Sequence, residues 1–210
     1  MSEKKYEITD IAHPQYPWLH RIRALRDVKA DVHFGDLGGF VQSEENLSQE
    51  GHCWITDDAI AAEEAYVSGN ATLWDSSCAR GCATITGEAR VNQNAIVEDC
   101  SIVTAGYIGG NAHIAGNAEI HPNGVTCRSP IIFDNASVYG RLGGNITVHE
   151  NTVILPGSQI DNPTIDALHV YPDGIVAVRE LQRKMPVLKP PLGWQEQPQS
   201  KKKRHRGEER

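Results

Sequence analysis

The chain has 210 residues, 40% of them hydrophobic, with 20 Lys and Arg against 27 Asp and Glu and a formal net charge of −7. That length suits one long domain with terminal caps, and no run of 18 apolar residues or secretory leader is present, so the expected location is the cytoplasm, away from membranes. Five cysteines fit that compartment, and the absence of a CxxC pair argues against a structural zinc site.

Residues 1–52 read as an N-terminal cap. Leu19 to Leu25 can alternate as a strand, Asp36 to Gly39 reads as a turn, and Val41 and Leu47 already fall on a six-residue lattice, so the cap merges into whatever follows.

From Cys53 a small residue recurs every sixth position: Cys53, Ala59, Ala65, Ala71, Ser77, Ala83, Ala89, Ala95 and Ser101. Aliphatic residues stand two places on at Ile55, Val67, Leu73, Ile85, Val91, Val97 and Val103. A five-residue step to Gly106 and a four-residue step from Ala136 to Gly140 shift the phase without ending the pattern, which continues to Ile160. The steps imply that no extra loop interrupts the repeat.

Small and aliphatic positions two apart share one face of a short strand. The remaining residues form a corner. Asn precedes the small position at Asn70, Asn94, Asn111, Asn117, Asn123, Asn135, Asn145 and Asn151, where its tolerance of the left-handed backbone region suits a tight bend. Three strands and three corners close an 18-residue triangular coil, and the hexads of residues 53–163 make about six coils, roughly 30 Å of stacked strands. Such repeats resemble the left-handed parallel β-helix, an all-β hexapeptide solenoid; the handedness comes from that resemblance, since the general crossover rule favours the opposite hand.

Residues 164–194 form the second cap: segments 164–170 and 175–179 flank Pro172, Asp173 and Gly174, a hairpin-type turn that would close the open edge of the last coil. After Met185 the chain becomes Pro-rich and then polar. Residues 195–210 read as a disordered basic tail. Residues 1–200 hold 14 basic against 25 acidic side chains, net −11, and the last ten hold six against two, net +4. Lys201, Lys202, Lys203, Arg204 and Arg206 are the groups that could touch nucleic acid, although a solubilising tail is the plainer reading.

The segment IRALRDVKADVHFGDLGGFVQSEENLSQEGHCWI, residues 22–55, followed by GNA-type hexads, resembles the N-terminal signature of the YdcK-like hexapeptide-repeat family, which includes prophage-borne relatives. The resemblance covers roughly residues 6–160. It implies an acyltransferase-like protein, with acetyl-CoA or another acyl-CoA as cosubstrate, a homotrimer binding the thioester between neighbouring prisms, and a His as general base. Fold alone does not establish such an activity.

Three histidines occupy outward positions in the coils: His113, His121 and His149. His113 and His121 are the catalytic candidates, because they fall in NAHIAGNAEIHPNG just before the irregular stretch Pro122 to Pro130. Their spacing does not reproduce the three converging ligands of a γ-carbonic-anhydrase-like site, so no metal is expected. No nucleophile motif, phosphate loop or dinucleotide fingerprint appears. The uninterrupted steps weigh against catalysis, since enzymes with this fold commonly carry a looped-out pocket segment.

The alternative is a non-catalytic acidic rod of phage or prophage type, docking on a host protein or nucleic-acid-processing complex. Outward Trp54, Tyr66, Trp74, Phe133 and Tyr139, with Ile60, Ile96, Ile102 and Ile131, would supply its contact surface or a homotrimer interface. Cys82 and Cys100, 18 residues apart, fall on the same corner of successive coils and are expected as stacked free thiols.

Overall fold

The computed structural model describes residues 4–179. The expectations for a disordered tail, for its five basic residues and for the end of the C-terminal cap fall outside them.

The hexads form a parallel β-helix of about seven turns. One face stacks Val41, Ala61, Ala79, Val97, Ile114, Val138 and Ile154 in register. A second stacks Leu47, Val67, Ile85, Val103, Ile120, Leu142 and Ile160, and a third Ile55, Leu73, Val91, Ile108, Ile132, Val148 and Val170. These side chains and the alanines between them form one continuous buried cluster. Each large aliphatic side chain removed from water contributes about 1.5–3 kcal/mol. The turn count exceeds the hexad estimate because Val41 and Leu47 open the first turn and the C-terminal hairpin supplies Val170 to the last.

Step lengths differ by corner. Third-face residues precede first-face residues by six throughout, and first precede second by six except for the four-residue step from Val138 to Leu142. At the second-to-third corner the step is eight, six, six, five, twelve, six and ten residues in successive turns. The expectation of uninterrupted coils therefore fails at one place, where twelve residues separate Ile120 from Ile132.

The corners also correct the role given to Asn. The left-handed residue is the one before it: Gly69, Gln93, Gly110, Asp134 and Glu150 have φ between 56° and 68°. Side chains at this position accept the backbone N–H of their counterpart one turn on, Gln93 to Asp75 at 3.0 Å and Glu150 to Asp134 at 3.0 Å. The Asn side chains instead form an amide ladder, Asn94 to Asn111 at 3.0 Å, Asn111 to Asn135 at 2.9 Å and Asn135 to Asn151 at 3.0 Å. That engages one N–H donor of each of Asn94, Asn111 and Asn135 and the carbonyl of each of Asn111, Asn135 and Asn151 along the edge.

The N-terminal segment adds β1 (Tyr6–Ala12), β2 (His20–Ala24) and β3 (Leu37–Val41), antiparallel to one another, with β3 parallel to the first face. Asp36–Gly39 is thus not a turn. Gly38 and Gly39 enter the strand because a Cβ would meet Ile22 Cγ1 and the Ile55 carbonyl at 2.6 Å, or Ile55 Cγ2 at 2.5 Å, so only glycine lets the cap approach the first coil. Lys5 anchors it: the side chain is fully buried, and Nζ donates to the carbonyls of Cys53 at 2.9 Å and Glu50 at 3.3 Å. Burial lowers its pKa from the ordinary lysine value. At the other end, Ala167–Tyr171 stacks on the third face and pairs antiparallel with Gly174–Val178 across Pro172 and Asp173.

Candidate active site

The twelve-residue step places a compact loop, 122–130, on the second-to-third corner of the fifth turn. Asn123 organises it, its Oδ1 accepting from the N–H groups of Val125 at 2.8 Å and Thr126 at 2.9 Å, while its carbonyl accepts from Cys127 at 2.9 Å. At the root of the loop stands His121, the last residue of the Glu119–His121 rung. The next turn places Arg141 beside Glu119 and Gly143 beside His121, and the turn after that places Asp161 beside Gly143.

Together these form a polar constellation. Arg141 Nε donates to His121 Nε2 at 3.0 Å, and Asp161 Oδ1 lies 3.2 Å from the same nitrogen. His121 Nδ1 is 3.1 Å from the Pro122 carbonyl. With Arg141 as donor, Nε2 bears the lone pair and the ring proton sits on Nδ1, donated to Pro122. Arg141 Nη1 also pairs with Glu119 at 3.3 Å.

A groove of about 430 Å3 runs from Arg141 over the second face to the corner at Tyr139 and Pro156. Its polar side chains include Glu119, Arg141 and Gln159. Such a volume lies in the range of small-molecule sites.

The other candidates part from His121. His113 sits on the first face with Nε2 held by Glu98 at 2.6 Å, and Glu98 also binds Arg80 at 2.5 Å. Burial alone would raise the Glu98 carboxyl, but the His113 and Arg80 hydrogen bonds outweigh it and hold the pKa below the ordinary value. This histidine serves a surface ladder. His149 faces away from both, its Nε2 2.7 Å from His169 Nδ1 and its ring stacked on Tyr171 at 4.5 Å.

Trp54 is corrected. It is 1% exposed, beneath the cap, with Tyr6 edge-on at 6.4 Å, and cannot contact a partner. Tyr66 is exposed on the second face, whereas Trp74, Phe133 and Tyr139 are half-buried at corners of different turns, so these aromatics do not form one patch. Among the described residues no three His, Cys, Asp or Glu side chains are grouped to hold a metal ion.

Glu119, Arg141, Gly143 and Asp161 were not singled out from the sequence. Gly143 to Asp161 is one ordinary 18-residue coil, whereas the 22 residues from Glu119 to Arg141 become readable only once the loop and the four-residue step are counted.

The hexads and the parallel β-helix they build are those of a hexapeptide-repeat solenoid. No family model matches the chain. It is similar to the uncharacterized acetyltransferase YdcK of Escherichia coli (strain K12), with 35% identity over 85 residues, 40% of this chain and 24% of that protein. The match thus spans about a quarter of the relative's length.

Proposed function

We propose that the chain transfers an acyl group, in the simplest case acetyl, from a CoA thioester to a hydroxyl or amine, with His121 as general base. The observation that carries this reading is His121 Nε2 set between Arg141 and Asp161 at the root of the looped-out corner. In the step, Nε2 takes the acceptor proton as the acceptor oxygen or nitrogen attacks the thioester carbonyl carbon. Asp161 holds the imidazolium, the C–S bond breaks, and the departing thiolate recovers the proton from His121. The similarity to an acetyltransferase supports the donor, and the hexapeptide-repeat resemblance supports a homotrimer. The acceptor is left to the chemistry of the groove at Arg141, Glu119 and Gln159.

The test is calorimetric titration of the full chain with acetyl-CoA, followed by a transfer assay over hydroxyl and amine acceptors. Saturable micromolar binding, with turnover lowered about 10²- to 10⁴-fold in His121→Asn and retained in His113→Asn, is the expected result. No heat at millimolar acetyl-CoA, or full turnover in His121→Asn, overturns the proposal.

A further inference from the structure

Far from His121, a second open groove of about 610 Å3 lies against the third face in the first three turns, beneath the loop that carries Lys29 and Asp31. It is not part of the site above, and its lining has its own order. Along one edge His52, Asn70 and Glu88 occupy equivalent positions in successive turns. His52 Nδ1 and Asn70 Oδ1 are 3.2 Å apart, and Asn70 Nδ2 donates to Glu88 Oε1 at 2.6 Å. Their stacking in register fixes three polar side chains in a row, with little rotamer freedom left to lose on binding.

Across the strand the groove ends at the half-buried indole of Trp74. Between the two edges stands Arg90, exposed, its guanidinium in no ion pair or hydrogen bond with any described residue.

This inventory selects among ligand classes. Carboxylates of Asp31, Asp57 and Glu88 outnumber the cations of Lys29 and Arg90, and Lys29 is already 3.7 Å from Asp31. A phosphate or polyanion would meet net repulsion here. A lipid tail is opposed by a lining of mostly polar side chains. Among neutral ligands, the lining fits one with many hydroxyls and one flat apolar face. Carboxylates accept from hydroxyls, the Asn70 amide accepts from and donates to them, the Arg90 fork spans two adjacent ones, and the indole covers the C–H face.

We infer that this groove binds a neutral saccharide. Binding here is independent of acyl transfer at His121.

The experiment probes a printed array of neutral and acidic oligosaccharides with the full chain and with Trp74→Ala and Arg90→Gln, then titrates the best-bound neutral glycan. The wild-type chain is expected to bind neutral glycans and discriminate against those bearing carboxylate or sulfate, with affinity at least tenfold weaker in Trp74→Ala and several-fold weaker in Arg90→Gln. Arg90 is exposed, so its variant keeps the fold, and acetyl-CoA titration of both variants separates this result from the transferase reading. An array with no bound glycan, binding confined to acidic glycans, or affinity unchanged in both variants overturns the inference.

Discussion

His121 and Gly143 are register partners on adjacent turns, and the missing side chain at 143 is what admits the imidazole: a Cβ there would lie 2.7 Å from His121 Nε2 and closer still to Cε1 and to Asp161 Oδ1. Gly143→Ala must therefore push the imidazole and the carboxylate apart. Both are side chains with room toward solvent, so the fold is expected to lose no more than about 1–3 kcal/mol. Transfer activity is expected to fall about 100-fold, since a displacement near 1 Å suffices for such a loss. Activity equal to wild type in a folded Gly143→Ala protein would detach His121 from the chemistry.

Trp54 and Tyr66 both occupy outward positions of the repeat, and they make opposite predictions. Truncating a fully buried Trp costs about 3–5 kcal/mol, so Trp54→Ala should unfold at markedly lower denaturant with the cap loosened from the first coil. Tyr66, 41% exposed, should tolerate Ala within about 0.5 kcal/mol. Urea titrations of the two variants decide this, and equal midpoints would contradict the packing of Tyr6 on Trp54.

The solenoid was legible because its period is enforced by physics. A strand alternates faces every residue, so a misplaced aliphatic residue would leave the core, and the phase shifts at Ser101 and Ala136 correspond to real short steps, Val103 to Ile108 and Val138 to Leu142. The loop was hidden for an arithmetical reason. Twelve residues equal two hexads, so Gly124 and Pro130 stayed on the lattice while the chain left the coil. Thr126 in place of an aliphatic residue was the one local signal. Trp54 was misread because alternation describes a bare prism, and a cap that folds over one face reverses inside and outside there.

His149 meets His169 at 2.7 Å between the last coils and the C-terminal hairpin, a contact expected to weaken as His149 takes up a proton. Burial first, and then the charge of His169, lower the His149 pKa from its ordinary value near 6.5. A depressed histidine is stabilising only while neutral: the unfolded chain takes up the proton first as pH falls through about 6.5, so the contribution is complete above that pH and is lost below it. Hydrogen exchange corrected for intrinsic rates should show the Leu168 and His149 amides, bonded to the Asn145 and Val170 carbonyls at 3.0 Å, losing protection between pH 7.5 and 5.5. In His149→Gln that change should vanish. Protection independent of pH in the wild-type chain would rule out this role.

Cys82 and Cys100 occupy one corner column in successive turns, both exposed as free thiols, with Glu64 one turn earlier accepting from Cys82 Sγ at 3.3 Å. Parallel rungs stand about 4.8 Å apart, within the Cα separation a disulfide spans without backbone movement. The Glu64 hydrogen bond and charge raise the Cys82 pKa, which keeps it a thiol at neutral pH and slows its attack. Hydrogen peroxide should oxidise one of the two thiols to a sulfenic acid with release of water, and the other should then displace a second water to close the disulfide. Peptide mapping should find Cys82 joined to Cys100 with the β-helix intact, and Glu64→Gln should speed the reaction at pH 7. Bonds formed only between molecules, through Cys127 or either of these residues, would show that the two corner thiols do not face each other.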